Sequence, residues 1–281
     1  YINLTFNYMQ IFKKLFIRNN KIFDVIVFFI SFAFFISLSL ILSGIFFQTS
    51  LKIFFSELSN SHLWNSIFLS FKLSSLVVLI NLAIGIPLSY ILSFKKNKVS
   101  FLLDLISTLP LTMSPLVIGF AVLITMGPLN PIGKYFISHG IKFVFTPQGI
   151  VLVQLIISFP FFVNILKESF DSINRKMINL SKTLGASSFE ILHKIILPLS
   201  FNGLLAGAAM SWSRSIGEYA ATQMVSGVIP NLTETAPIEV FVKTSYGNYP
   251  AAIAISAILM MISFISLGVF KFFYYRAKLK K

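Results

Sequence analysis

The sequence predicts an all-α, polytopic membrane protein with about six transmembrane helices. Of its 281 residues, 56% are hydrophobic and only 11% are charged. Mean hydropathy is +0.84, and a soluble domain needs far more polar surface than this composition supplies. Cysteine is absent, which excludes structural disulfides and thiolate metal sites. We therefore expect the chain to lie in a lipid bilayer, in contact with the membrane lipid.

Six apolar stretches account for this fold class, because each has the roughly 20 residues needed to cross the hydrocarbon core. They run, in order, over residues 22–47, 63–94, 102–126, 149–166, 197–228 and 250–273. The first is too long for the apolar part of a signal peptide and is expected to remain as an anchor. Pro110 and Pro115 predict a break in the third stretch, and Pro160 predicts an interruption of the fourth.

Basic residues predict which ends of these stretches face the cytoplasm. Most of the 23 Lys and Arg residues fall on one side, and only Lys52, Lys134, Lys142 and Lys243 fall on the other. The positive-inside rule makes the first side cytoplasmic and places both termini there, in a cell-membrane protein. The net charge of +14 then reflects topology, so we expect no nucleic-acid partner. The predicted domains are a cytoplasmic tail over 1–21, the anchor over 22–47, the transmembrane domain over 48–273 and a basic tail over 274–281.

A polar break over residues 167–196 is expected on the cytoplasmic side and has the pattern of helix, tight turn, helix. Gly185 can adopt the positive φ that such a turn needs. Ser187 followed by Glu190 is a capping-box pattern for a new helix. Pro198 predicts a kink or restart. The break therefore resembles a socket for a soluble partner, although an ordinary loop between helices is the simpler alternative.

Two segments on the opposite side carry turn residues, namely 127–133 and 227–237. They face the outside in the predicted topology, where a protein that delivers a substrate could dock. The alternative is that they only join helices.

Ionisable residues inside the apolar stretches are costly, so each is a functional hypothesis. Arg214 and Glu218 are spaced for contact on one helix face, which they share with Gly203, Gly207 and Ser211. Such a stripe either packs helices closely or lines a translocation path, and the two roles can coexist.

Lys72 lies well inside the second stretch, where it can snorkel to the interface, pair with Glu218 or line a cavity. Thr112 and Ser114 lie at the proline-rich break of the third stretch, and broken helices are common where transporters bind or gate substrate. The residues predicted for the translocation path are Lys72, Thr112, Ser114, Ser211, Arg214, Glu218 and Thr222.

The sequence offers little support for enzyme chemistry. His62, His139 and His193 are scattered, and neither an HExxH motif nor a nucleophile elbow is present. The segment from Gly127 to Lys134 has the wrong spacing for a phosphate-binding loop, and Tyr135 stands where such a loop needs Ser or Thr. We therefore predict no catalytic, cofactor-binding or metal-binding residues, and any ATP must be hydrolysed by another polypeptide. A channel or a membrane-embedded enzyme stays a distant alternative, although a channel would have no use for the cytoplasmic socket.

The spacing of Gly185 to Ile195-Ile196-Leu197-Pro198 resembles the cytoplasmic coupling loop of ABC-importer permeases. That family's loop normally opens with Glu-Ala-Ala, whereas this chain has Asn179-Leu180-Ser181. The resemblance implies a type I importer permease fold and a contact with an ATPase that is neutral or absent at Asn179. The residues implied for ATPase coupling are Asn179, Leu184, Gly185, Ala186, Phe189, Ile195, Leu197 and Pro198.

Three further segments resemble the oxyanion permeases of this family. Residues 67–75, which include Lys72, and residues 109–120 resemble the molybdate permeases. Residues 213–222 are similar to a signature shared by the molybdate, tungstate and sulfate permeases. Tyr219 and residues 140–147 are instead more similar to the sulfate branch, so a sulfate or thiosulfate permease is the alternative. We give more weight to the segment 109–120, which favours molybdate or tungstate.

The resemblance also implies partners and a mechanism. It implies a homodimer, two cytoplasmic ATPases that bind ATP-Mg, and an extracytoplasmic oxyanion-binding protein, with no cofactor bound by this chain. ATP would draw the ATPases together, and the coupling loops would carry that movement into the membrane helices. Transport would then proceed by alternating access.

Overall fold

The computed structural model describes residues 21–279, and these form helices joined by short loops, with no strand among them. The predicted tail over 1–21 therefore lies outside the described residues, apart from Lys21. The first helix, α1 (Lys21–Gln48), belongs to a unit that ends at Thr49. It carries apolar side chains all round, with Phe28 stacked on Phe32 at 5.7 Å between ring centroids. Such a helix suits a lipid environment, as the first stretch predicted.

The second unit begins at Ser50 and holds the remaining helices. These are α2 (Leu51–Leu58), α3 (Ser61–Phe94), α4 (Lys98–Thr108), α5 (Pro115–Met126), α6 (Pro131–Ser138), α7 (Pro147–Asp171), α8 (Arg175–Thr183), α9 (Ser188–Leu199), α10 (Phe201–Ile216), α11 (Ala220–Ser226), α12 (Ala236–Ser245) and α13 (Tyr249–Leu279). Helix α13 continues through the predicted boundary at residue 273, so its described part has no structural break where the basic tail was placed.

Four described helices, α1, α3, α7 and α13, are long and apolar enough to cross a membrane. The number rises to six when each of two bent helix pairs is taken as one span. In the first pair, the segment Lys98–Thr112 meets α5 at 113°, which confirms the break predicted from two prolines. Pro110 lies in a short 3-10 turn, and Pro115 opens α5, where its missing N–H is not needed. The count of six predicted stretches agrees with the structure in this sense.

The fifth predicted stretch, 197–228, is not one helix. A bend of 77° at Ser200 separates α9 from α10, and α10 ends at Ile216. Helix α11 then starts afresh, because a side-chain oxygen of Glu218 accepts a hydrogen bond from the backbone N–H of Ala221 at 3.0 Å. The Glu218 carboxylate therefore starts a new helix within a sequence that is apolar enough to predict one continuous helix.

The predicted interruption at Pro160 is also wrong, since α7 runs without a break from Pro147 to Asp171. Pro87 lies inside α3 in the same way. A proline removes one backbone hydrogen bond, and neighbouring helices can hold the remaining turns in place. Pro160 is buried among those neighbours.

The core of the second unit lies where α3, α7 and α10 meet. Phe162 of α7 is fully buried there, between Gly85 of α3 and Gly207 of α10. A Cβ atom at Gly85 would lie 2.5 Å from the Phe162 ring, so the close approach of these helices needs glycine. The packing of these three helices provides the base against which Ile178, Ile191 and Ile196 are buried.

Candidate coupling surface and translocation path

The predicted cytoplasmic socket is an elbow formed by α8, a tight turn and α9. Gly185 has φ +88°, and its N–H donates to the Lys182 carbonyl at 3.0 Å. This confirms the glycine turn, which ends α8 in the left-handed region that glycine tolerates. We call residues 175–199 the coupling elbow.

The capping box that opens α9 is present as predicted. The Ser187 hydroxyl accepts from the Glu190 N–H at 3.2 Å, and a Glu190 carboxylate oxygen accepts from the Ser187 N–H at 3.1 Å. The other carboxylate oxygen pairs with Lys194 at 3.0 Å. The Ser187 backbone N–H and the Lys194 ammonium lower the pKa of Glu190 to about 2. Glu190 therefore stays ionised, which suits the positive end of a helix.

The outer face of the elbow is apolar at its tip. Leu184 is 80% exposed and Phe189 is 74% exposed, and Phe189 stacks on His193 at 6.0 Å between ring centroids. Met177 and Leu180 are exposed on the same elbow. Lysines 176, 182 and 194 are also exposed around it. Of the predicted coupling residues, Asn179, Leu184, Gly185, Phe189 and Pro198 are exposed, whereas Ala186, Ile195 and Leu197 are partly buried.

The inner face of the elbow is anchored in the protein core. Ile178, Ile191 and Ile196 are buried against a cluster that includes Leu92 of α3 and Phe170 of α7. An exposed apolar tip on a firmly packed base is the arrangement expected of a surface that binds a partner protein.

Arg214 and Glu218 form the ion pair that their spacing predicts. Arg214 Nη1 lies 2.6 Å from Glu218 Oε2, with the arginine side chain 28% exposed and the glutamate only 3% exposed. Because Glu218 also caps α11, one carboxylate ties the last turn of α10 to the next helix. Lys72 does not take part. It is exposed on α3 and forms no ion pair with any described residue, so the predicted option of a Lys72–Glu218 pair is excluded for the described structure.

The other predicted path residues lie in different environments. Ser211 is buried and accepts a hydrogen bond from the Asn81 amide, which also donates to Ser158 at 2.9 Å. These three side chains join α10, α3 and α7, which favours the packing role for Ser211. Thr222 is fully buried on α11. Thr112 and Ser114 are exposed at the bend before α5.

A cavity of about 530 Å³ lies among α3, α10, α12 and α13, and it is lined mainly by apolar residues. Its lining includes Phe71, Ser213 and Gly217, which are sequence neighbours of Lys72, Arg214 and Glu218. None of the seven predicted path residues lines this cavity in the described chain. Lys72, Arg214 and Glu218 are thus next to cavity residues in the sequence and do not form the cavity wall.

Sequence reasoning missed a buried polar cluster near the start of α3. His62 Nε2 lies 3.4 Å from Glu234 Oε2, and His62 Nδ1 lies 3.4 Å from Glu239 Oε1. Burial raises the pKa of Glu234, and the nearby His62 opposes that rise. The residues are far apart in sequence, so no local pattern could have joined them. Among the residues that the structure describes, no group of three or more is placed to hold a metal ion.

The bent apolar helices, the elbow with its exposed tip and the partly buried ion pair are features of a membrane-spanning protein with a docking surface. Residues 85–278 match the family model described as "Binding-protein-dependent transport system inner membrane component". The chain belongs to that family, and it is a multi-pass inner-membrane permease of the ABC type. Such a permease is a membrane subunit of an ATP-driven transporter and is not itself catalytic.

Similar proteins carry related descriptions. The molybdenum transport system permease protein ModB of Escherichia coli K12 is 34% identical over 207 residues, which cover 72% of this chain and 90% of ModB. The probable transport system permease protein NifC of Clostridium pasteurianum is 30% identical over 203 residues, covering 72% of this chain and 71% of NifC. A probable sulfate transport system permease protein, cysT of Chlorella vulgaris, is 27% identical over 199 residues, covering 71% of this chain and 75% of that protein.

A solved structure shares the fold. It is the crystal structure of a bacterial ABC transporter involved in the import of the acidic polysaccharide alginate, and the match has a TM-score of 0.74. It covers 96% of this chain and 98% of the matched chain, with 14% sequence identity. The match establishes the permease fold for this chain.

Proposed function

We propose that this chain is the permease subunit of an importer of molybdate and tungstate. The observation that carries the proposal is its 34% identity to ModB over 207 residues, a length that spans 90% of ModB. The segments over 67–75 and 109–120 support the same substrate class. The complex contains a second copy of this chain, a pair of cytoplasmic ATPases that hold ATP-Mg, and an extracytoplasmic oxyanion-binding protein.

The ATPase docks on the coupling elbow, and the elbow and both termini face the cytoplasm. The exposed side chains of Leu184 and Phe189 enter an apolar pocket of the ATPase. The surrounding lysines favour a partner whose pocket has acidic residues at its rim. Asn179 stands where the family pattern has an acidic residue, so any contact it makes is an uncharged hydrogen bond.

The oxyanion crosses the membrane along a path near Arg214, Glu218 and Lys72. The Arg214–Glu218 pair sets the electrostatic potential along this path. The arginine is partly exposed, whereas its partner carboxylate is buried. A path that does not bind the anion tightly suits transport, since ATP shifts the protein between two states only through their difference in affinity.

Sulfate import is the second candidate, and Tyr219 together with the cysT similarity favours it. The test is reconstitution of the permease with its ATPase and binding protein in lipid vesicles, followed by ATP hydrolysis in the presence of molybdate, tungstate or sulfate. We expect the molybdate- and tungstate-loaded binding protein to stimulate hydrolysis. Stimulation by sulfate alone would overturn the first proposal and support the second.

A further inference from the structure

Arg175 makes an unusual set of contacts for a residue at the surface of the elbow. It is the first residue of α8, and the same atom, Nη2, donates to the Ser93 carbonyl at 2.9 Å and to Asp171 Oδ1 at 2.8 Å. Its guanidinium carbon also lies 4.2 Å from the centroid of the Phe94 ring. One side chain therefore contacts the last turn of α3 and the last residue of α7 while it belongs to the elbow.

The groups that Arg175 contacts are themselves joined. The Ser93 hydroxyl donates to the Lys167 carbonyl at 3.3 Å, and the Ser89 hydroxyl donates to the Val163 carbonyl at 3.3 Å. Lys167 in turn pairs with Asp104 of α4 at 2.7 Å. The cytoplasmic ends of α3, α4 and α7 thus form one block, and Arg175 attaches the elbow to it.

The second contact between the elbow and the core is apolar, and it does not fix the orientation of the elbow. Ile178, Ile191 and Ile196 hold the elbow against the core by burial, which resists separation and leaves small rotations and slides inexpensive. A planar guanidinium that donates two hydrogen bonds and lies on an aromatic ring fixes an orientation as well as a distance.

We propose that Arg175 is the positioning residue that locks the coupling elbow to α3 and α7, so that movement imposed on the elbow by the ATPase reaches the membrane helices without slippage. The inference rests on the proposed function, because it concerns how the elbow delivers force during ATP-driven import. Substitution of Arg175 therefore uncouples ATP hydrolysis from transport and leaves the complex assembled.

The first test measures molybdate transported per ATP hydrolysed in vesicles that contain the complete complex. In Arg175→Gln we expect this ratio to fall about tenfold, the scale of one lost charge-assisted hydrogen bond. The transport ratio of Arg175→Lys should lie between those of Arg175→Gln and the unsubstituted protein. An ammonium can still pair with Asp171, but it has no planar group to stack on Phe94. Lys98→Gln is the matched control, because Lys98 is exposed at the start of α4, outside the elbow, and its side chain has no hydrogen bond or ion pair among the described residues.

A second readout is independent of the substrate. The chain has no cysteine, so Lys95→Cys and Lys182→Cys place two spin labels cleanly, one just after α3 and one on α8. We expect Arg175→Gln to broaden the distance distribution between the labels, and Lys98→Gln to leave it narrow. If the unsubstituted complex fails to move molybdate but Arg175→Gln still broadens the distribution, the proposed function fails and the positioning role stands. A narrow distribution in Arg175→Gln, or an unchanged transport ratio in a complex that does import molybdate, overturns the inference.

Discussion

Glu218 does two things with one carboxylate. It pairs with Arg214 at the end of α10 and accepts the Ala221 N–H at the start of α11. Both interactions are made by a side chain that is almost fully buried, where an unpaired charge is costly. The break between the two helices is therefore held by electrostatics inside an apolar surrounding.

Removal of the Glu218 charge should measurably destabilise the junction between α10 and α11. In Glu218→Gln the amide cannot accept from both partners, because one of its terminal atoms is a donor. We expect the free energy of unfolding to fall by about 2 kcal/mol, since Arg214 is partly exposed and water offsets part of the loss. Thermal unfolding of the purified protein in detergent tests this, with the exposed Glu168→Gln as control. Equal unfolding midpoints for the two variants would contradict the assigned role.

Glu234 offers a pH-dependent test at the same scale. Burial raises the pKa of this carboxyl above its ordinary value of 4.5, with His62 and Lys243 acting in the opposite direction and Glu239 adding to the rise. Because the pKa is raised in the folded state, the contribution of Glu234 to stability is fully present below its unfolded-state pKa. That contribution is lost as the pH rises through its folded-state pKa.

The expected result is a difference between two pH curves. Glu234→Gln cannot ionise, so its unfolding midpoint should decline less than that of the unsubstituted protein as pH rises above the ordinary carboxyl value of 4.5. The gap between the two curves should widen from there until Glu234 is ionised in the folded protein, and should then stay constant. A gap that is constant or narrows over the whole range from about pH 4 to about pH 8 would show that Glu234 is not held in a desolvated site.

Helix packing at the element scale depends on small residues at crossings. Helix α5 and helix α11 pack closely, and a Cβ atom added at Gly119 would lie 2.8 Å from both the Cα and the carbonyl oxygen of Ala221. Backbone atoms cannot move aside as a flexible side chain can, so this contact needs glycine at residue 119.

Gly119→Ala should therefore destabilise the protein, by about 1–3 kcal/mol for an overpacked site. Gly268→Ala is the control, because a Cβ at Gly268 in α13 meets nothing within 4 Å. Alanine within an open helix is neutral or stabilising by up to about 1 kcal/mol. Unfolding in increasing denaturant compares the two, and a Gly119→Ala variant as stable as Gly268→Ala would show that the helices do not cross at this residue.

At the scale of the whole molecule, the sequence predicted those features that are formed by residues close together in the chain. The apolar stretches, the turn at Gly185 and the Ser187–Glu190 capping box depend on neighbouring residues, and each was predictable. The Arg214–Glu218 pair was predictable for the same reason. The break at Gly217 was not, because the apolar sequence around it hides the effect of one capping carboxylate.

Contacts between distant residues account for most of what the sequence did not reveal. Asn81 reaches Ser158 and Ser211, so the role of Ser211 in packing depends on two other helices. Arg175 reaches Ser93 in the same way. Pro160 was wrongly expected to interrupt α7, because a proline rule describes the isolated helix and omits the surrounding packing.

The central claim is that an ATPase bound at the coupling elbow drives molybdate through this permease. The most direct measurement is uptake of radiolabelled molybdate into vesicles that hold the complete complex, with either an active ATPase or one that binds but cannot hydrolyse ATP. The account predicts sustained uptake against a concentration gradient only with the active ATPase. Equal uptake in both preparations, or uptake by this chain alone, would contradict it.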